Sequence, residues 1–152
     1  MSEHVENIDH IYESHHFFFD GHIEIKARPY YVPERSIPEK NFYFYAYHIE
    51  IKNNSNQTCK LLRRQWNIRN GNGHAKEVEG VGVIGKTPIF EPGEEFEYTS
   101  FCHIKTPTGN MRGRYLFSTY EIDPLTDKEI LNEKFWVEVP LFFLRTPETF
   151  LH

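Results

Sequence analysis

Gly80-Val81-Gly82-Val83-Ile84-Gly85-Lys86-Thr87-Pro88 is the stretch that separates two fold classes. Its glycines have the G-x-G-x-x-G spacing that, in an α/β protein, turns a strand into a helix and seats a pyrophosphate on the helix N-terminus. That arrangement needs a helix opening on the last glycine and a carboxylate about 20 residues further on. Here Gly85 runs through Lys86-Thr87-Pro88 into the turn Glu91-Pro92-Gly93, so no helix follows. The glycines therefore sit inside a β pattern, and the rest of the chain is read on that basis.

Immediately upstream, Leu62, Arg64, Trp66 and Ile68 share one face of a strand that ends in Asn70-Gly71-Asn72-Gly73, a hairpin signal because both central positions tolerate positive φ. Its partner runs from about Ala75 to Val81. Before it, Phe42 to Ile51 is too aromatic and β-branched for anything but a strand, apolar on both faces early and alternating later. Asn53-Asn54-Ser55-Asn56 closes that strand. Earlier still, Ile23, Ile25 and Ala27 alternate with Glu24, Lys26 and Arg28 up to Pro29, and a connection from Pro33 to Pro38 follows.

Downstream, Phe96, Tyr98, Ser100, Cys102 and Ile104 alternate, then turn at Thr106-Pro107-Thr108-Gly109 into Met111, Gly113, Tyr115 and Phe117. Glu121 to Lys134 reads as an elongated hairpin tip, with Ile130-Leu131 extending a strand or a helical turn. Phe135, Val137 and Val139 complete seven strands. The class is all-β: an immunoglobulin-like or fibronectin type III-like antiparallel β-sandwich, with Trp66 and Tyr98 in its core. Cys59 lies on the same strand as Trp66, so the inter-sheet disulfide of antibody domains is absent. Residues 1–20 carry four of the nine histidines (His4, His10, His15, His16) and Phe17-Phe18-Phe19 without a sustained period. They read as a flexible N-terminal arm before a domain spanning 21–152.

The 152 residues suit one domain with one core. A formal net charge of -5 opposes general attraction to nucleic acid or anionic lipid. No apolar run reaches the ~18 residues of a membrane span, and the acidic N-terminus lacks the basic flank of a signal peptide. The expected address is the cytoplasm, without membrane or nucleic-acid partners. Cys59 and Cys102 are the only cysteines, and both are expected to be reduced and buried.

From about Gly21 to Leu151-His152 the chain resembles the ApaG family, also termed DUF525. The resemblance is carried by Phe44-Tyr45-Ala46-Tyr47 leading to Ile51-Lys52-Asn53, by Leu61-Leu62-Arg63-Arg64-Gln65-Trp66, and by Glu77 to Gly85. Pro92-Gly93-Glu94-Glu95-Phe96-Glu97-Tyr98-Thr99-Ser100 and Thr106 to Gly113 carry the remainder. It implies a fibronectin type III-like or immunoglobulin-like sandwich, found as free-standing bacterial proteins and attached to certain eukaryotic F-box and polymerase-associated proteins. No activity is assigned to the family. Its bacterial members are associated by name with a diadenosine-tetraphosphate hydrolase neighbour and with cobalt and magnesium efflux. The N-terminal arm and an insertion at Asp123 to Lys134 depart from the family pattern.

Two constellations are candidate sites. Gly80, Gly82 and Gly85 either accommodate the backbone at a bulge or close approach, or form with Lys86 a nest of N–H groups for a phosphate. Arg63, Arg64, Arg112 and Arg114 either form a basic surface or lie on unrelated faces; Arg64, beside Trp66, calls for a partner, which Glu77 or Glu79 on the next strand could supply. His48, His74 and His103 lie on different elements, and His15-His16 on the arm, with no metal-ligand spacing. Ser100 and His103, three apart on a strand, point to opposite faces and do not form a nucleophile and base. The sequence thus predicts no catalytic residue, metal ligand or cofactor. It points to a non-enzymatic binding module with an unidentified protein partner. The alternative is a binder of phosphate, pyrophosphate or a nucleotide through Gly80 to Lys86, with a role in divalent-cation homeostasis less favoured.

Overall fold

A computed structural model describes residues 10–18 and 21–147. It contains β1 (Tyr12–Phe18), β2 (Gly21–Tyr31), β3 (Tyr43–Asn53), β4 (Cys59–Asn70), β5 (Ala75–Val81), β6 (Ile89–Phe90), β7 (Glu95–Ile104), β8 (Thr108–Ile122) and β9 (Glu129–Arg145). One sheet has the order β1-β2-β3-β7; the other has β5-β4-β8-β9, with β6 also paired to β4. Every pairing is antiparallel. This is the β-sandwich the alternation predicts, with two strands more among the described residues than the seven expected.

The inward residues of the two sheets interlock in one core. Ile23, Ile25, Tyr45, Ile49 and Ile51 come from the first sheet, and Leu61, Trp66, Met111, Tyr115 and Phe117 from the second. Trp66 and Tyr98 are buried, as expected. The indole meets the rings of Tyr47, Tyr115 and Phe142 edge-on at centroid distances of 5.5, 6.0 and 6.0 Å, a favoured geometry for aromatic pairs. Gly113 lies opposite Trp66 on β8, and a Cβ there would come within 2.4 Å of the indole Cε3. The tryptophan thus fits because its cross-strand neighbour has no side chain.

Three expectations are corrected. The tract given to the arm contains β1, which pairs with β2 from Tyr12↔Ala27 to Phe18↔Gly21. Its inward side chains pack on β9, Phe18 and His16 against Phe135 at 4.6 and 5.6 Å, and Ser14 Oγ donates to the Glu138 carbonyl at 2.9 Å. Residues 1–9, with His4, lie outside the described residues, as do 19–20 and 148–152. Second, β2 continues through Pro29 to Tyr31. Beyond Ala27 it has no β1 neighbour, so a residue without an N–H is accommodated. Third, Leu61 rather than Leu62 is the core residue of β4. The register shifts between Leu61 and Arg63, so Leu62 is an extra residue at a bulge and Arg64, Trp66 and Ile68 keep the inward face.

Candidate functional site

The glycine stretch lies along the edge of the second sheet. β5 pairs with β4 as far as Val81↔Arg63, and β6 resumes beside β4 at Ile89↔Lys60. Residues 82–88 are thus a short excursion from one interrupted edge strand, opposite the Leu62 bulge. The Gly82 N–H donates to the Leu62 carbonyl at 2.8 Å, and Val83 and Lys86 exchange backbone hydrogen bonds at 2.9 and 2.8 Å. Between them Ile84 and Gly85 both have positive φ, 42° and 76°, as in a type I′ turn. Val83 is fully buried and plugs the core beside the bulge. Gly82 has φ +63°, and a Cβ on it would lie 2.0 Å from the Lys86 carbonyl oxygen.

The four arginines divide between the faces of the second sheet. Arg64 points inward and donates Nη1 to the carbonyls of Val81 and Gly82 at 3.2 and 3.1 Å. Its guanidinium occupies the space a side chain at Gly80 would need, 3.0 Å from that Cβ position. The expected carboxylate partner is corrected: Glu77 and Glu79 stand opposite Asn67 and Gln65 on the outer face, so they cannot meet a side chain of opposite parity. Glu79 accepts instead from Gln65 Nε2 at 3.2 Å. Arg114 donates Nε to Gln65 Oε1 at 2.8 Å and stacks 4.0 Å above Trp136. Arg112 lies opposite Asn67, in a groove of about 430 Å³ lined also by Glu77, Glu79 and Glu138. Carboxylates so interleaved leave no purely basic surface.

A different surface gathers aromatic groups. Tyr30, Ala46 and Phe101 form one cross-strand row on the outer face of the first sheet. Ala46 is its buried floor, between rings that remain 38% and 51% exposed. Phe44 lies opposite His103, and the rings connect from Phe101 to Phe44 at 5.6 Å, Phe44 to Phe42 at 6.2 Å and Phe42 to His103 at 4.7 Å. Arg35 extends over them from the 3-10 turn Pro33–Arg35, 4.2 Å from the Phe44 centroid and 5.7 Å from that of Phe101. Ser36 locks that turn to the sheet, accepting from the Phe44 N–H at 2.8 Å and donating to the Val32 carbonyl at 2.9 Å. The sequence did not assign these residues to a common site. The available signal was the start of β3, apolar on both faces where one face meets solvent.

Ser100 and His103 face opposite sides of β7, since their cross-strand partners are the inward Tyr47 and the outward Phe44. Cys59 and Cys102 are unbridged. Cys59 is fully buried and Cys102 partly so as a residue, and burial pushes each thiol up to about 12.

The family model for the ApaG domain, DUF525, matches residues 33–119. The chain belongs to the ApaG family. Protein ApaG of Methylorubrum extorquens (strain PA1) is 42% identical over 125 residues, 82% of this chain and 88% of that protein. Protein ApaG of Brucella abortus (strain S19) is 38% identical over 126 residues, 83% and 89% respectively. A crystal structure described as an ApaA protein of Bordetella pertussis superposes with a TM-score of 0.73 at 34% identity, covering 84% of this chain and 96% of that one. The ApaG domain match begins after β2 and ends within β8, so the aromatic surface lies mostly inside it and β1 outside. No helix among the described residues is long and apolar enough to cross a membrane.

Proposed function

We propose that this ApaG-family chain is a non-enzymatic, cytoplasmic binding module that docks a protein partner on the Tyr30–Ala46–Phe101 face. The observation that supports this reading is the exposed aromatic cluster fixed over a rigid sheet. Large aromatic side chains left open to water around a small floor residue are the usual anchors of protein interfaces. Arg35 gives the partner a charge preference, because it stacks on Phe44 and Phe101 and makes no ion pair among the described residues. An apolar side chain accompanied by a carboxylate meets both features.

The test is affinity purification from native cytosol with the wild type and Phe101→Glu side by side, together with their sedimentation. Phe101 is half exposed, so its replacement should leave the melting temperature nearly unchanged while removing the partner. Capture unaffected by Phe101→Glu counts against this face, and loss of self-association alone would make the partner a second copy of the chain. The alternative, an anion held by Gly80 to Lys86, receives less support. The N–H groups of Gly82, Val83 and Lys86 already donate to carbonyls, which leaves those of Ile84 and Gly85 and the Lys86 ammonium.

A further inference from the structure

A second recess opens where the two sheets diverge, between the β4–β5 hairpin and the end of β7. Its volume is about 370 Å³, with Ile68 and Ile104 at its floor and His74, Lys76 and Lys105 at its rim. Ile104 is a buried core residue, and Ile68 packs against the core. His74 and Lys76 belong to the β4–β5 hairpin and Lys105 follows β7, whereas the His103 ring is turned to the outer face of the first sheet, against Phe42. None of His74, Lys76 and Lys105 takes part in an ion pair among the described residues, and no carboxylate lines the recess. In a chain of net charge -5, that is a local reversal of sign over an apolar floor.

The rim is also held in place. The two loops that carry it are joined directly: the Gly71 N–H donates to Thr106 Oγ1 at 2.7 Å, and that hydroxyl donates to the Thr108 carbonyl at 2.7 Å. Asn70 Oδ1 accepts from the N–H groups of Asn72 and His74 at 2.9 and 3.1 Å, and Arg69 Nη1 donates to the Gly73 carbonyl at 2.9 Å. The backbone of the rim is thus ordered before binding, and the entropic cost of capture falls on the exposed side chains of Lys76 and Lys105.

We propose that this recess is a binding site for a small organic anion: an apolar body resting on Ile68 and Ile104, with a carboxylate or phosphate head between Lys76 and Lys105. Its volume falls in the range of small-molecule pockets, roughly 300–1,000 Å³, and two lysines present ammonium donors that suit any compact oxyanion. The site is separate from the glycine excursion and does not rest on the protein-docking reading.

The experiment is an amide NMR titration of the full chain in physiological salt with phenyl phosphate. Inorganic phosphate, phenol and phenethylammonium supply the head alone, the body alone and the body with opposite charge. Saturable shifts are expected at residues 68, 74–76 and 104–105, with phenyl phosphate binding about tenfold more tightly than inorganic phosphate. The double variant Lys76→Gln, Lys105→Gln changes only exposed side chains, so its spectrum elsewhere should be preserved and its affinity for phenyl phosphate should fall about tenfold. Lys86→Ala should bind as the wild type does. The proposal is overturned by an absence of saturable shifts, by equal affinity for inorganic phosphate and phenyl phosphate, by binding of phenethylammonium at the same residues, or by shifts confined to 82–86 that Lys86→Ala removes.

Discussion

At the scale of single residues, Gly82 and Trp66 show how little freedom the packing leaves. Gly82 combines positive φ with a carbonyl oxygen where a Cβ would lie. Gly82→Ala should therefore lower stability by more than the ~1 kcal/mol of an ordinary glycine substitution, whereas Lys86→Ala should leave it unchanged; urea denaturation of both variants checks this. Trp66→Ala removes the ring that meets Tyr47, Tyr115 and Phe142, and should cost roughly 3–5 kcal/mol in the same assay. For the cysteines the expected result is an intact mass without loss of two protons, and a melting temperature that reducing agent does not move. Trp66 was legible because its neighbours Arg64 and Ile68 kept the alternation. The partner of Arg64 was not, because a carboxylate on the next strand becomes reachable or unreachable through the parity of one pairing register.

Among elements, β1 is the clearest case of a strand hidden by its composition. Tyr12, Ser14, His16 and Phe18 face inward and Glu13, His15 and Phe17 outward, so polar residues fall on the buried side and the apolar period disappears. Burial of Tyr12 and Phe18 against Phe142 and Phe135 makes the segment part of the fold. Removing residues 1–18 should reduce stability by about 2–4 kcal/mol, measured by chemical denaturation, where a dispensable arm would give no change. Apart from the two-residue β6, which was not expected, the other strands were legible from alternation and turn residues, including the hairpin at Asn70 to Gly73. What escaped was the end of β9. Opposite Met111 to Gly113 that strand carries an extra residue, so its inward set passes from Val137 and Val139 to Phe142 and Leu144, and the apolar run Leu141 to Leu144 conceals the shift.

For the whole molecule, the core carries an acid–base liability. Burial raises Cys59 and Cys102 to about 12 and lifts Tyr47, Tyr98 and Tyr115 above their ordinary 10.0; Tyr98 and Tyr115 also hydrogen-bond each other. Above pH 9 the unfolded chain releases these protons while the folded chain retains them, so the native state binds more protons and stability must fall as pH rises. Each fully retained proton steepens the loss by about 1.4 kcal/mol per pH unit. Denaturation midpoints should hold near neutrality and drop progressively from pH 9 to 11, with Tyr115→Phe reducing the slope. The candidate sites were less legible than the fold, since Arg35, Phe44 and Phe101 come from three separate segments and meet only through the β3–β7 pairing and a Ser36 tether. The excursion at 82–88 also has a bearing on behaviour in concentrated solution. An unbroken edge strand is a template on which further chains can stack; here the row of open backbone groups along β5 ends at a protruding turn and at Pro88, and on the opposite side β1 shields β9. The open edge of the second sheet is thereby kept to the length of β5, so a variant in which 83–87 are excised should gain a longer continuous edge and, with it, a tendency to polymerise into fibres.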